Sequence, residues 1–567
     1  MSSRQAIPQR MIRATVVALV ATVAVGLCPP AARAKTYDAP VAVGVLAGYN
    51  AVKADIAYVG KLADNPDLAV GLEALLKLMT SNKGLEGLDL DRPWVLAIFP
   101  GDTEEETGGC LYLPVTDAKA LAAALQPYIG DREKVEDGIF KFSPAKGDPF
   151  YVFSQGQWLK IGPKIESVKL GPDTPEKLIP ASAKGYDISL TIDLRNLPPG
   201  LLEKAKAKMR KDAQKDLARK PHESETEHFI RKTLIEGVLS CADTLISDTE
   251  MLVYGATLDA EAQQAYLDSM FVAKKGSKLA KELAALDDQP SRFTSIALPD
   301  ATFSAHVNST IAALSVKSLT PLSDAIRKSA KEELEGEDKP EEEKQIIRKL
   351  IDAGVDVAHQ TLGSGRLNAA FSARLKPDAV TLLAGGYLAE TEKAEEAVNT
   401  VIAIAIAEKP ELGSIIKTDT GEYKGVRLHE AHLPIGEDED NREAIVRAVG
   451  EKLDVTVGFG EQGVYAAAGR DGAKVMKKAI AGSLDQPKPT IPAEATLSVL
   501  SLMEFVAEAG EKEKERADAA RAVEILKKVR GKDHVRMTVT PIDRGLRTRI
   551  LFEEGLLRLL GAAASGG

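Results

Sequence analysis

The sequence predicts an α+β protein, a duplicated two-lobe chain in which each lobe is a mainly antiparallel sheet with helices packed on one face. Three observations predict it: strands that alternate apolar and polar residues, charged amphipathic segments of helical period between them, and an order of elements that recurs along the chain.

Residues 1–34 read as a secretory signal. Arg4, Arg10 and Arg13 form a basic start, residues 14–27 are apolar, and Ala32-Arg33-Ala34 offers small residues for cleavage. The apolar run is shorter than the roughly 18 to 20 residues a membrane span needs. Leu27, just before Cys28, stands where a lipoprotein signal carries a small residue. The expected mature chain therefore starts at Lys35, is exported to the periplasm or beyond the cell, and has no stable membrane insertion after cleavage.

The first half-unit opens with the strand Val41-Ala-Val-Gly-Val-Leu46, passes through helices to strands at Trp94-Val-Leu-Ala-Ile-Phe99 and Cys110-Leu-Tyr-Leu-Pro-Val115, and closes with a helix over 117–128. The second opens at Tyr186-Asp-Ile-Ser-Leu-Thr-Ile-Asp-Leu194, where period two places Ile188, Leu190, Ile192 and Leu194 on one face of a half-buried strand. Two charged helical segments follow, 201–220 and one that carries Ile230, Leu234, Val238, Cys241 and Leu245 as a stripe. A return strand at 251–258 and a further strand with its helix end near Leu286.

The same order recurs with a strand at Thr302-Phe-Ser-Ala-His-Val307, helices over 315–335 and 341–362, a return strand at 366–375, and strand plus helix over 380–407. A looser fourth copy runs from Ala495-Thr-Leu-Ser-Val-Leu500 through 505–530 and 535–539 to 547–560. Inserts of shared pattern separate the first copy from the second and the third from the fourth. Gly138-Ile-Phe-Lys-Phe142 parallels Gly425-Val-Arg-Leu-His429, and 150–161 with a helix at 163–170 parallels 453–468 with a helix at 471–480. The lobes are expected at 35–288 and 289–567, joined at Asp287-Asp-Gln-Pro290. The acidic run over 332–344 links two helices and reads as a solvated tip.

Composition narrows the function. Lys plus Arg is 73 against 83 Asp plus Glu, and the first 34 residues hold four Arg and no acid, so the remainder carries −14 against −10 for the whole. That balance argues against a nucleic-acid partner, and two Trp, 12 Tyr and 13 Phe supply few stacking platforms. Cys110 and Cys241 remain after the signal, and two buried thiols are expected of them beside the alternative of a single bridge.

No motif points to a catalytic, cofactor or metal residue. Gly458-Phe-Gly-Glu-Gln-Gly463 has the dinucleotide spacing, but Val464-Tyr-Ala-Ala-Ala468 continues as a strand where that site needs a helix, so a hairpin turn is expected. His429 and His432 are three apart on a strand and point to opposite faces, so surface or capping roles are expected of the histidines. Glu437, Asp438, Glu439, Asp440 and Asn441 have oxygen donors, yet Arg442 falls where a calcium loop needs another, and the stretch reads as a polar loop opening a helix. Gly363-Ser-Gly365 reads as a helix-ending turn. Ser143-Pro-Ala-Lys146 and Ser414-Ile-Ile-Lys417 match S-x-x-K without the companion motifs of the penicillin-binding type.

At the inserts, Gln157-Trp-Leu-Lys-Ile-Gly-Pro-Lys-Ile-Glu-Ser-Val168 and Val464-Tyr-Ala-Ala-Ala-Gly-Arg-Asp-Gly-Ala-Lys-Val475 resemble a domain of unknown function found in exported bacterial proteins. The resemblance implies an exported, duplicated α+β protein and no catalytic residue, cofactor or ligand. The expectation is thus a non-enzymatic binding or structural/interaction protein with a protein partner or an apolar ligand. A carrier of an apolar small molecule or lipid is the alternative, and a hydrolase with dispersed active-site residues a second one.

Overall fold

The computed structural model describes residues 39–565 except 63–64, 102–106, 222, 287–288, 311–318, 339, 437–441, 485–487 and 511. The signal segment 1–34, the acidic loop 437–441, Asp287 and Asp288 of the expected joint, and His222 lie outside the described residues. No described helix is long and apolar enough to cross a membrane.

The described chain is α+β, with antiparallel strands and interspersed helices. Its first half contains β1 (Ala42–Leu46), α1 (Tyr49–Leu62), α2 (Leu68–Met79), β2 (Trp94–Phe99), β3 (Gly108–Pro114) and α3 (Ala118–Ile129). The insert follows as β4 (Asp131–Glu136), β5 (Ile139–Ser143), β6 (Phe150–Gln155), β7 (Trp158–Gly162) and α4 (Ile165–Lys169). Then come β8 (Ile188–Asp193), α5 (Pro199–Leu217), α6 (Glu225–Asp248), β9 (Thr249–Asp259), β10 (Gln264–Ala273) and α7 (Lys278–Ala284).

A short β11 (Gln289–Ser291) precedes β12 (Phe303–Thr310), α8 (Leu319–Glu335), α9 (Glu341–Gly363), β13 (Arg366–Lys376), β14 (Ala379–Tyr387) and α10 (Thr391–Glu408). The second insert is β15 (Ile416–Tyr423), β16 (Val426–Pro434), α11 (Arg442–Val449), β17 (Lys452–Gly460), β18 (Gly463–Gly469) and α12 (Gly472–Ser483). The chain closes with β19 (Lys488–Thr490), β20 (Ala493–Ser498), α13 (Val499–Ala509), α14 (Glu513–Lys527), β21 (His534–Ile542), β22 (Gly545–Glu553) and α15 (Glu554–Ser565). Pro290 therefore sits in a short strand that pairs with β19.

The described residues form two compact units. One holds the chain up to Lys206 with Thr249–Val272 and the end from Leu560, and the other holds Ala207–Asp248 and Ala273–Leu559. In the first, strands lie in the order β4-β5-β6-β7-β3-β2-β1-β8-β9-β10, antiparallel from β4 to β9. In the second they lie in the order β15-β16-β17-β18-β14-β13-β12-β20-β21-β22, antiparallel throughout. Position by position the two orders are the same.

Local chemistry sets the turns. Asp117 caps α3, its carboxylate accepting from the backbone N–H of Lys119 at 2.8 Å and of Ala120 at 3.1 Å. Gly138 and Gly425 open β5 and β16 from hairpin turns at φ +75° and +80°, a region that favours glycine. The first core packs Val43, Val45, Val95, Ala97, Phe99, Cys110, Tyr112 and Trp158 from one face of the sheet. The second packs Leu383, Tyr465 and Ala467 against Met476, Ala479 and Ile480 of α12, with Phe293 and Ile296.

Two sequence expectations change here. Cys110 is buried but Cys241 is exposed, and both are free thiols. Leu234, Val238 and Leu245 of the α6 stripe are exposed as well. The buried residue of α6 is Thr226 in its first turn, whose hydroxyl donates to Glu332 of α8 at 3.1 Å, while Leu234, Val238 and Leu245 stay outward.

Candidate functional site

On β8 the usual burial is inverted. Ser189 and Thr191 are buried, and their hydroxyl oxygens have no hydrogen-bond partner among the described residues, whereas Ile188 is 56% and Leu190 40% exposed. A solvated antiparallel sheet ordinarily points its polar residues to water. The registers extend the apolar face across the sheet: one row is Leu111, Leu96, Gly44, Leu190 and Tyr254, and the next is Gly109, Ile98, Ala42, Ile192 and Leu252. Neither row contains a charge, and Tyr254 is exposed.

The other unit has a matching row. It runs Val457, Ala466, Ala384, Phe371, Ala305, Ala495, Met537 and Ile550, again without a charge. Phe371 and Met537 are exposed in it. Both sheets therefore have two apolar faces, one closed over as a core and one accessible.

A polar cluster lies elsewhere in the second unit. α10 places Glu395 and Asn399 four residues apart on one side of the helix, and β16 places Arg427 and His429 two apart on one side of the strand. Arg427 Nε donates to Glu395 Oε1 at 2.9 Å and Oε2 at 2.7 Å, and its Nη2 also bonds Glu395. His429 Nε2 lies 2.9 Å from Glu395 Oε1. Its Nδ1 accepts the backbone N–H of Asp419 at 3.4 Å, which makes Nε2 the protonated, donating nitrogen.

The side chains of Glu395 and His429 are only 7% and 4% exposed, and that of Arg427 is 45% exposed. The guanidinium holds the Glu395 carboxyl below its ordinary range, overcoming the opposite effect of burial, with His429 assisting. Asp419 reaches the cluster because β15 bulges between Lys417 and Gly421, with Asp419 itself at φ +51°. Glu395, Asn399, Asp419 and Arg427, together with Glu392 and Glu396, line an open groove of about 670 Å³, and His429 is buried behind them.

The first unit carries different chemistry at the same places. Counting from the hairpin glycines, Phe140 and Phe142 of β5 correspond to Arg427 and His429 of β16. Phe142 is buried in a core with Leu121, Val152 and Leu159 and stacks on Phe150 at 5.4 Å. An apolar core thus suffices at this position of the fold.

The expected hairpin at Gly458 to Gly463 is observed, with β17 and β18 pairing Gly460 to Gly463. Gly365, at φ +70°, ends α9 as a turn. His432 is partly exposed and meets Asp454 at 2.7 Å, on the face opposite His429. His429 corrects the expectation of a surface or capping role: it is buried because Glu395 supplies its hydrogen-bond partner. Ser414 bonds the Glu411 carbonyl at 2.8 Å, as a turn hydroxyl does. Glu395, Asn399, Asp419 and Arg427 were not among the sequence candidates. The alternation Arg427-Leu428-His429 against Phe140-Lys141-Phe142 was the available signal for Arg427. No family model matches the chain, and no curated protein or solved structure matches it.

Proposed function

We propose that the chain is an exported, non-enzymatic binding protein whose ligand is a long apolar molecule such as an acyl chain, received on the accessible sheet faces. The observation that carries this reading is the inversion on β8. Fully burying a Leu or Ile side chain contributes about 1.5–3 kcal/mol, and this strand buries Ser189 and Thr191 instead while leaving Ile188 and Leu190 to water. The strand is hydrogen-bonded on both sides, to β1 and β9, so it offers no backbone edge to a peptide and recognition falls to side-chain contact alone. Chains without polar groups suit such a face. The common strand order supports the further reading that the chain arose by duplication and holds two related faces.

The test is native mass spectrometry of the exported protein together with titration of a fluorescent fatty acid. The reading expects a few hundred daltons of bound mass that leaves on denaturation, and saturable probe binding that the double variant I188D/L190D weakens at least tenfold while its far-ultraviolet spectrum is unchanged. Equal probe binding by the variant overturns it. A second reading, assembly with another protein, is favoured by the outward stripe Leu234, Val238 and Leu245 on α6; a concentration-dependent mass in sedimentation that L234E/V238E abolishes would select it.

A further inference from the structure

We propose that Glu395, Asp419 and His429, completed by Asn399 Oδ1, form a binding site for a divalent transition-metal ion, with Arg427 as the group that the metal displaces. The inference is independent of the apolar-ligand reading, since it concerns different residues and a different face.

Three observations carry it. The first is convergence: one ligating atom from each of Glu395, Asp419 and His429 lies within 4.8 Å of the others. Tetrahedral donors with bonds of about 2.0–2.2 Å stand roughly 3.3–3.6 Å apart, so the cluster contracts by at most about 1.5 Å to close on one ion. Asp419 is brought in by a bulge and a left-handed backbone conformation, a local irregularity of the kind that re-aims a side chain.

The second is an oxygen without a partner. Asn399 Oδ1 is buried and accepts no hydrogen bond among the described residues, and Asn399 lines the same groove as Glu395 and Asp419. A buried unpaired amide oxygen costs about 1–3 kcal/mol, and a cation is a partner that removes that cost.

The third is the contrast between the halves. The positions of Arg427 and His429 carry Phe140 and Phe142 in the first unit, packed as ordinary core. A buried carboxylate and imidazole are not needed to fill the space, and breaking such a buried pair is costly where apolar packing is not.

Arg427 fits the role of a displaceable counter-ion. Its side chain is 45% exposed, so it can swing to water while Glu395 stays in place. Metal at His429 Nε2 moves the ring proton to Nδ1, and the contact given up there is the long one to the Asp419 N–H at 3.4 Å. The donors, one nitrogen with carboxylate and amide oxygens, suit zinc or manganese; with zinc the higher in the affinity series, it is the probe.

The experiment is calorimetric titration of the full chain with zinc, backed by competition against a chromogenic chelator. Wild type is expected to bind one equivalent. E395Q and H429F should each weaken binding at least tenfold, H429F being the residue the first half already accommodates at that place. D419N keeps a residue type that tolerates a left-handed backbone, so it tests the second carboxylate without disturbing the strand, and it should weaken binding severalfold. R427Q should tighten binding about tenfold, because it removes the competing cation. Replacing His432, the partly exposed histidine outside the cluster, should change nothing. The proposal is overturned if R427Q binds no tighter than wild type, or if E395Q and D419N keep full affinity, which would mark zinc uptake as adventitious surface binding.

Discussion

Lys160 of β7 is the sharpest energetic test of the first core. It is 2% exposed and stands opposite Tyr112 of β3 in the sheet. Its ammonium donates to the Gly171 carbonyl at 3.2 Å and lies 5.5 Å from the centre of the Tyr112 ring. Burial lowers its pKa from the usual lysine value, against the smaller opposing pulls of Cys110 and Asp173. Taking an ammonium out of water costs several kcal/mol, which one charged hydrogen bond of about 1.5–3 kcal/mol and a ring contact of about 1–2 kcal/mol only partly offset.

Lys160→Met shortens the unbranched side chain by one atom, removes the charge, and leaves Gly171 O without this donor. The expected net effect is a stabilisation of about 1–2 kcal/mol near neutral pH. The pH dependence gives the sign independently. The native lysine loses its proton at lower pH than the unfolded one, so between its lowered pKa and about 10.5 the unfolded state binds more protons and wild-type stability rises with pH. The advantage of K160M should therefore be full below that window and shrink as pH rises through it. Urea unfolding at about pH 7 and about pH 10 reads both quantities. A K160M protein less stable than wild type at neutral pH, or a gap between the two that does not narrow at alkaline pH, refutes the reasoning.

Two further perturbations follow from neighbouring features. Gly171→Ala should destabilise by at least about 2 kcal/mol in the same urea assay, because at φ +72° a Cβ would lie 2.3 Å from the Tyr112 hydroxyl and 2.8 Å from Phe99. Asp55 of α1 is pushed up to about 6 by burial and by Asp187, so the native state holds a proton that the unfolded chain has lost between roughly pH 4 and 6, and stability falls as pH rises through that range. Asp55→Asn should accordingly raise the melting temperature near pH 7 and leave it unchanged near pH 3; equal effects at both would remove Asp55 as the cause.

The order of strands and helices along the chain was legible because period-two alternation and the hairpin glycines 138 and 425 are local signals, and the recurrence of strand, two helices and strand followed from them; the order of strands within each sheet was not. Which side of a strand meets the core was not. Ile188, Leu190 and Ile192 mark a single face correctly, but a period says nothing about what packs against it, and in this sheet the core lies behind Ser189 and Thr191. The α6 stripe misleads for the same reason: Leu234 and Val238 share a side of the helix, while bonds to neighbouring elements are made by Thr226 and by Asp243 and Asp248. The polar cluster was half visible, since Arg427 and His429 share a strand face, but Glu395 lies more than thirty residues away and Asp419 depends on a bulge that no local pattern announces.

The outermost strands of the two ladders, β4 and β15, have a consequence for solubility. β4 reads Asp131-Arg-Glu-Lys-Val-Glu136 and is exposed along its whole length, and each of the two strands breaks register, between Lys134 and Glu136 and between Lys417 and Gly421. Charge and a bulge are devices that stop a foreign strand from docking edge to edge. A protein that leaves apolar sheet faces open to water is at risk of growing fibrils from its sheet ends, and here those ends are the places where further strand addition is blocked. The faces can stay accessible because the ladders cannot lengthen at β4 and β15.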